Sequence, residues 1–139
     1  MSAPAPRPPL ALTMGDPAGI GPELILRAWT ARSAGMAPFF ALADPNALSL
    51  LARRLSFDVA IAEVAPEQAN GAFATALPVV PLKGQADARP GEPDAAFAAA
   101  TIESIERAVG YVRSGEARAI VTNPIAKATL YAAGFRFPG

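Results

Sequence analysis

Two residue types that often carry chemistry are missing from this 139-residue sequence, which contains no cysteine and no histidine. The lack of cysteine excludes a disulfide framework, a thiol nucleophile and a thiolate metal site. The lack of histidine removes the commonest general base and the commonest metal ligand. Any catalysis that this chain carries alone must therefore use carboxylates, lysine, tyrosine, hydroxyls or backbone dipoles.

Charged residues are scarce and balanced: they make up 17% of the chain, with 12 basic and 12 acidic side chains. Zero net charge leaves no electrostatic footprint for nucleic acid, so we expect no nucleic-acid partner. No run of about 18 strongly apolar residues occurs, so the sequence predicts no transmembrane helix and no membrane partner. The proline-rich residues 1–8 would not form the apolar core of an export signal. We expect them to form a flexible tail and the protein to be cytoplasmic.

Apolar residues are plentiful, at 52% of the chain, which excludes a mostly disordered protein. They form short runs of the kind found in strands that are buried on both faces of a parallel sheet. The fourth run contains two prolines, which predict a place at the edge of the sheet. The runs cover residues 9–14, 39–43, 58–64, 77–82 and 119–122.

Helical patterns lie between these runs, at residues 23–32, 45–55, 94–113 and 125–133. Gly21, Asp44 and Asn123 each stand directly before a proline, which predicts N-terminal caps at these positions. Asp94 is the predicted cap of the longest helix.

Gly35, Gly115 and Gly134 stand where helices are expected to end. In the longest helix, apolar residues recur at spacings of three and four, which predicts that this stripe packs in the core. The stripe consists of Ile102, Ile105, Val109 and Val112.

The predicted order of elements is β-α-β-α-β-loop-β-α-β-α, which is typical of an α/β fold with right-handed crossovers. We therefore predict a mainly parallel sheet flanked by helices. Residues 83–93 are predicted to form a polar loop too short to join two domains. The aromatic residues of 135–139 follow the last helix, so we expect the sheet to be incomplete and the protein to continue beyond residue 139.

Ligands of open α/β sheets bind beyond the carboxyl ends of the strands, which points to the loops at residues 13–21, 44–46 and 122–124. The glycines of the first loop would let its backbone approach a ligand. Their spacing, G-x-x-x-G-x-G, is neither the dinucleotide fingerprint nor a P-loop. An ordinary tight turn, with Asp16 capping amides and Glu23 complementing the helix dipole, explains the same residues and is favoured on physical grounds.

The loop after the fifth run contributes Thr122, Asn123 and Lys127. Lys127, one turn into the final helix, would attract an anionic substrate together with the helix N-terminus. The simpler interpretation is a solvated surface lysine.

Residues 12–23 (LTMGDPAGIGPE) and 120–127 (IVTNPIAK) resemble motifs of the 4-hydroxythreonine-4-phosphate dehydrogenase family of the vitamin B6 pathway, and residues 104–108 are similar too. The first loop is also similar to the G-D-G-I-G-P-E turn of the isocitrate and isopropylmalate dehydrogenases, with Pro17-Ala18 as the departure. The resemblance covers the whole chain but only the N-terminal part of the family's length. It implies that residues 1–139 are the N-terminal part of a two-domain α/β dehydrogenase with an isocitrate/isopropylmalate dehydrogenase-like fold.

The resemblance implies an enzyme that uses NAD or NADP to oxidise the 3-hydroxyl of 4-phosphohydroxy-L-threonine, a phosphorylated hydroxy amino acid. The resulting β-keto acid loses carbon dioxide to give 3-amino-2-oxopropyl phosphate. The resemblance also implies a homodimer and a divalent metal (zinc, magnesium or cobalt) that polarises the hydroxyl.

The family's metal ligands are histidines, so the metal would be bound by residues beyond this chain, and no catalytic residue is carried over onto it. What the resemblance does carry over is a wall of the active site. That wall consists of Asp16, Gly19, Gly21, Thr122, Asn123 and Lys127.

Two alternatives remain open at the level of sequence. One is a paralogous dehydrogenase of another phosphorylated four-carbon hydroxy acid, and the other is a non-catalytic fragment that only binds or dimerises. We further expect the isolated chain to be inactive and, because its sheet would lack closing strands, to aggregate.

Overall fold

A computed structural model describes residues 3–84, 89, 91–92 and 94–136. Its centre is a sheet of five parallel strands in the order β3-β4-β2-β1-β5. The predicted parallel α/β class is therefore confirmed. The strands are β1 (Leu10–Thr13), β2 (Phe39–Ala43), β3 (Ile61–Glu63), β4 (Leu77–Pro81) and β5 (Ala119–Val121).

Helices cover both faces of this sheet. Alternate residues of β2 point to opposite faces, so Phe39 and Ala41 pack with α1 and α2, whereas Phe40 and Leu42 pack on the side of α4. This two-sided burial explains why β2 is apolar throughout. The helices are α1 (Gly21–Thr30), α2 (Pro45–Arg54), α3 (Ala69–Ala72), α4 (Ala98–Ser114) and α5 (Lys127–Ala132).

The longest described helix, α4, has 17 residues, and no described helix combines the length and apolar character that a bilayer crossing requires. The last residues of the predicted aromatic tail, 137–139, lie outside the described residues, as do residues 1–2 and much of the predicted loop at 83–93.

Strand β4 is an interior strand, so its predicted place at the sheet edge is wrong. Leu77 donates its amide toward β3 and Leu82 donates toward β2, so the alternation of the backbone directs Pro81 toward β3 and Pro78 toward β2. The pairing with β3 ends at Val79, and the pairing with β2 begins there. Each proline therefore lies outside the ladder that would have needed its missing N–H.

Two of the predicted helix caps are confirmed. The Asp44 carboxylate accepts hydrogen bonds from the amides of Asn46 and Ala47, at 3.0 and 3.3 Å. Asp94 accepts from the amide of Ala96 at 2.9 Å and caps a 3₁₀ turn, Ala95–Phe97, that leads directly into α4.

The predicted ends of the helices have a mixed outcome. Gly115 adopts the left-handed conformation (φ 82°) and terminates α4 as expected, and Gly134 (φ 97°) follows α5 closely. Gly35 does not terminate α1, which ends earlier at Thr30. Gly21 is the first residue of α1 rather than its cap, because the cap position belongs to Ile20.

The side of α4 that faces the sheet consists of small residues, so the predicted core stripe of that helix is confirmed only in part: Val112 packs against a buried core cluster, whereas Val109 is exposed. Thr101, Ser104 and Ala108 are 3%, 0% and 0% exposed, whereas Val109 is 38% exposed and its stripe partners are partly exposed. The Ser104 hydroxyl accepts from the Met14 amide (3.0 Å) and donates to the Leu42 carbonyl (2.9 Å). These long-range bonds turn the small residues toward the sheet, and they leave Ile102, Ile105 and Val109 less buried than the sequence pattern predicts.

A second set of polar contacts holds α4 against the end of β4. The Glu103 carboxylate accepts from the amides of Lys83 and Gly84 at 2.9–3.0 Å. Arg107 donates to Glu103 (3.0 Å) and to the carbonyl of Pro81 (2.7 Å). Partial burial acts to raise the pKa of Glu103, but these amides and the Arg107 guanidinium outweigh burial and hold the pKa below its ordinary value of 4.5.

We expect this contact to make stability depend on pH. A carboxylate whose folded pKa is lowered stabilises the fold above its unfolded pKa, and this contribution is lost as the pH falls from about 4.5 through the lower folded value. Glu103→Gln should cost about 1–2 kcal/mol at neutral pH and should flatten this part of the acid dependence. Urea denaturation between neutral and acidic pH measures both effects.

The matched control is Glu106→Gln, which alters an exposed carboxylate on the same helix. It should leave the neutral-pH stability within about 0.5 kcal/mol of the wild type. An unchanged acid dependence in Glu103→Gln would contradict the assignment.

Candidate functional site

The loops that follow β1 and β5 lie side by side, because these strands are parallel neighbours. Asn123 joins them: its backbone amide donates to the Thr13 hydroxyl (3.1 Å), and its side-chain amide donates to the Thr13 carbonyl (2.9 Å). The amide of Asp16 donates to the carbonyl of Pro124 at 3.0 Å. Two of the three loops singled out in the sequence thus form one continuous surface at the carboxyl edge of the sheet.

Asn123 was predicted to cap the last helix, and this is wrong. Helix α5 begins only at Lys127, after Ala126, and no side chain caps it. The Asn123 side chain also lies 3.5 Å from the carbonyl of Gly21, at the start of α1. Its function is to connect two strand ends and a helix start.

The glycines of the first loop are needed for contacts within the protein. A Cβ at Gly15 (φ 74°) would lie 2.6 Å from the carbonyl oxygen of Pro124, and a Cβ at Gly21 would overlap the carbonyl of Met14. Gly19 differs, because it is exposed and only Asp16 lies within ordinary contact distance, at 3.4 Å. Of these three glycines, Gly19 therefore leaves its backbone accessible from outside.

Asp16 forms the tight turn that the physical argument favoured. Its carboxylate accepts from the amide of Ala18 at 2.8 Å, and its carbonyl accepts from the amide of Gly19 at 3.0 Å. Glu23 lies in the first turn of α1, where it also pairs with Arg27 at 2.8 Å. Both residues have a structural role, which does not prevent the half-buried Asp16 from lining a site.

The start of α4 supplies a further wall that the sequence analysis missed. The Thr101 hydroxyl donates to the carbonyl of Gly15 at 3.4 Å, and the amide of Gly91 donates to the carbonyl of Ala18 at 2.7 Å. The available signal was the presence of small polar residues, Thr101 and Ser104, three positions apart on one helix. A narrow cleft opens here, lined by Asp16, Pro17, Asp94, Phe97, Ala98, Thr101, Ala126, Thr129 and Leu130.

In the described part of the chain, the remaining candidate residues, Thr122, Lys127 and Asp44, take no part in the hydrogen bonds that join the first loop to the loop after β5. Thr122 and Lys127 are exposed, and Lys127 is the first residue of α5. Asp44, at the end of β2, is the cap of α2. The structure thus brings Gly21 and Asn123 into direct contact and joins Asp16 to Pro124, the residue after Asn123. Thr122 and Lys127 lie on the same segment, which runs from β5 to the start of α5.

The described residues do not fit a divalent metal. Over 3–84, 89, 91–92 and 94–136, no group of three or more histidine, cysteine, aspartate or glutamate side chains could hold an ion. The surface offers backbone groups, hydroxyls and one lysine, which can bind and position a polar ligand.

We expect Gly21→Ala to be strongly destabilising, because the added methyl group would overlap backbone that cannot move aside. The expected cost is at least about 2 kcal/mol, measured from the midpoint of urea denaturation. Gly110→Ala is the matched control, since it has open space around it in the middle of α4. That change should stabilise the protein by about 0.5–1 kcal/mol, because alanine favours the helix. Equal effects of the two substitutions would show that the backbone contact has no importance.

Known proteins that are similar to this chain in sequence point to one enzyme family. The family described as "Pyridoxal phosphate biosynthetic protein PdxA" matches residues 35–139. The chain is 49% identical to a 4-hydroxythreonine-4-phosphate dehydrogenase of Xanthobacter autotrophicus, over 100% of the chain and 39% of that enzyme. The chain spans 38–41% of the length of the curated relatives it matches.

Solved structures with a similar fold carry related names. A 4-hydroxythreonine-4-phosphate dehydrogenase of Burkholderia phymatum superposes with a TM-score of 0.82 at 25% identity, covering 97% of this chain and 42% of the other. A terephthalate 1,2-cis-dihydrodiol dehydrogenase of Burkholderia xenovorans superposes with a TM-score of 0.65 at 26% identity, covering 96% and 39%. Because the family model matches residues 35–139, three-quarters of the chain, this chain belongs to the PdxA family of pyridoxal phosphate biosynthetic proteins.

Proposed function

We propose that this chain is the N-terminal part of an NAD- or NADP-dependent dehydrogenase that oxidises 4-phosphohydroxy-L-threonine in pyridoxal phosphate biosynthesis. The main support is family membership together with the position of the family-like motifs. Residues 12–23 and 120–127, which carry the resemblance, are the two loops that Asn123 joins at the carboxyl edge of the sheet. That edge is where open α/β sheets bind ligands.

The proposed reaction oxidises a secondary alcohol to a ketone. A bound nicotinamide would supply the oxidant, accepting the hydride of the substrate carbon while the hydroxyl proton is released. The product is a β-keto acid, which loses carbon dioxide and gives 3-amino-2-oxopropyl phosphate. This chain would contribute binding and orientation to the reaction.

The proposed contribution of this chain is a wall of the site, formed by Asp16, Gly19, Gly21, Thr122, Asn123 and Lys127. Asn123, which belongs to the second loop, would hold the two loops together, because its side-chain amide donates to the carbonyls of Thr13 and Gly21 at either end of the first loop. The exposed backbone of Gly19 would allow a ligand to approach closely. Lys127 would attract the anionic substrate, since an exposed ammonium forms charge-assisted hydrogen bonds with anionic oxygens.

The metal site and the dimer of the proposed enzyme would involve residues beyond those described. A divalent metal, zinc, magnesium or cobalt, would be held by residues beyond this chain, because the described ones do not fit it. The enzyme would work as a cytoplasmic homodimer.

A related dehydrogenase with another substrate is the second candidate. The structural likeness to an enzyme named for a terephthalate dihydrodiol favours it, because a similar fold is found in an enzyme that is named for a different substrate, a diol. A paralogue that oxidises another phosphorylated four-carbon hydroxy acid belongs to this class. Competing the candidate substrates in one assay and comparing their kcat/KM values separates the two functions.

The activity test compares the full protein encoded by the gene with the 139-residue chain. With NAD or NADP, a divalent metal and 4-phosphohydroxy-L-threonine, the full protein should form reduced nicotinamide and release carbon dioxide. The 139-residue chain should show neither, because it has no histidine and its described residues offer no metal-binding group. Turnover by the short chain would contradict the proposal that it is only a wall of the site.

The role of Lys127 has a separate test in the full protein. Lys127→Ala should raise KM for the phosphorylated substrate about 10- to 100-fold with a smaller effect on kcat, because a charge-assisted hydrogen bond is worth about 1.5–3 kcal/mol. Lys127→Arg should restore most of the binding. Arg113→Ala is the matched control, because it removes an exposed cation at the far end of α4. A KM that does not change in Lys127→Ala would make this residue an ordinary surface lysine.

A further inference from the structure

The start of the first loop, residues 13–21, is anchored from inside the protein by a hydroxyl group of α4. Ser104 accepts from the Met14 amide at 3.0 Å and donates to the Leu42 carbonyl at 2.9 Å. Ser104 is 90 positions from Met14 and 62 positions from Leu42 in the sequence. One side chain therefore joins the helix, the loop and the end of β2.

The groups that Ser104 bonds have no access to water. Met14 is 2% exposed, and Leu42 and Ser104 are both 0% exposed. Without the hydroxyl, a buried N–H and a buried C=O would both lack a partner, and buried backbone groups are rarely left in that state. The loop would regain a partner for the Met14 amide only by moving away from α4 to admit water.

A second hydroxyl lies one turn earlier on the same side of α4. The Thr101 hydroxyl is 3.4 Å from the Gly15 carbonyl and 3.3 Å from the Phe97 carbonyl of its own helix. Thr101 is 3% exposed. Its hydrogen is shared between two long bonds, so Thr101 supports the loop more weakly than Ser104 does.

The position of Met14 and Gly15 is passed on to the rest of the carboxyl edge. The Met14 carbonyl occupies the space beside Gly21, at the start of α1, where a Cβ would overlap it. Gly15 lies against the Pro124 carbonyl, and the amide of the next residue, Asp16, donates to that carbonyl at 3.0 Å. A shift of the anchored residues would therefore disturb both the start of α1 and the joint between the two loops.

Helix α4 is a fixed support for this anchor, because other contacts hold it in place. Glu103 accepts from the amides of Lys83 and Gly84, and Arg107 donates to the Pro81 carbonyl at 2.7 Å. These bonds join the helix to the end of β4 and do not involve the first loop. Loss of the Ser104 hydroxyl would consequently move the loop and leave the helix where it is.

We propose that Ser104, assisted by Thr101, is a positioning residue of the enzyme: it holds the first loop, and with it Asp16 and the exposed backbone of Gly19, in the arrangement that orients the substrate. This inference rests on the proposed function, in which the first loop is a wall of the active site. Ser104 is fully buried, so it acts only through the backbone groups that it bonds.

The kinetic test uses Ser104→Ala in the full protein with 4-phosphohydroxy-L-threonine as substrate. We expect kcat to fall about 10- to 100-fold and KM to change less than about threefold, because the substrate meets the same groups but is less well oriented by them. Ser114→Ala is the matched control. It removes an exposed hydroxyl that donates to the Tyr111 carbonyl at the far end of α4, and kcat should stay within about twofold of the wild type.

A second control separates positioning from a general loss of stability. Phe73→Leu weakens the core at the amino-terminal end of the sheet, where Phe73 packs edge-to-face on Phe39 with ring centroids 5.1 Å apart. Each variant is assayed below its own thermal transition. Phe73→Leu should keep the wild-type kcat even where it melts as early as Ser104→Ala. Equal losses of kcat in these two variants, or an unchanged kcat in Ser104→Ala, would overturn the proposal.

The contribution of Thr101 is tested by removing and then restoring its hydroxyl. Thr101→Val keeps the shape of the side chain and should lower kcat about threefold, as expected for one weak hydrogen bond. Thr101→Ser keeps the hydroxyl and should return kcat to within about twofold of the wild type. If Thr101→Ser is the more impaired of the two, packing of the methyl group and not the hydroxyl is what matters, and Thr101 has no positioning role.

Residue-resolved hydrogen exchange tests the same inference without any activity. The Asp16 amide should exchange about 10-fold faster in Ser104→Ala, because the loop opens locally. In Phe73→Leu its exchange should not change, because local opening does not follow global stability. A wild-type protein that does not oxidise the substrate would refute the proposed function, while the exchange rates would still report on the anchor. An unchanged rate in Ser104→Ala would overturn the inference in an active protein as well.

Discussion

The contact between Asn123 and the end of β1 is the interaction on which the carboxyl edge of this protein depends. Strand pairing alone brings the two loops to the same edge, but it does not fix their backbones beyond Thr13 and Val121. Asn123 does so with hydrogen bonds to the hydroxyl and the carbonyl of Thr13. Each such bond contributes only about 1 kcal/mol, so the surface is rigid because several of them act together.

The close approach of these loops also determines which residues can occupy them. Gly15 and Gly21 have no space for a side chain, because the carbonyls of Pro124 and Met14 occupy the position of a Cβ. The loop motif of residues 12–23 is thus largely a requirement of backbone packing. Gly19 has only Asp16 within contact distance, and Thr122 and Lys127 are exposed, so this packing requirement does not extend to these three positions.

Local signals in the sequence predicted local structure well. The apolar run at β2 and the Asp-Pro start of α2 lie where expected, because the cause of each lies within a few residues. The sequence analysis missed the turn and short helix at Pro66–Ala72, although a proline at the first helical position with a glutamine two residues later is a recognisable helix start. In the structure, the Gln68 side chain accepts a hydrogen bond from the Ala65 amide at 2.9 Å.

The errors have a different cause, which is that long-range contacts override local patterns. Asn123 stands before a proline, as a cap would, but its amide is used by a residue 110 positions away. The apolar stripe of α4 predicts one buried side, but Ser104 bonds β1 and β2 and turns the helix. Similarly, the meeting of the loops after β1 and β5 depends on the strand order, which a single sequence does not reveal.

The two prolines of β4 also have a consequence for the uniqueness of the fold. If β4 slid by two residues in one direction, Pro81 would enter the pairing with β3, and in the other direction Pro78 would enter the pairing with β2. Either slip would leave a carbonyl of the neighbouring strand without a donor, at a cost of about 1–3 kcal/mol. A slip by one residue would exchange the two faces of the strand. The two prolines, which are ordinarily unsuited to a central strand, thus restrict β4 to a single alignment with its neighbours.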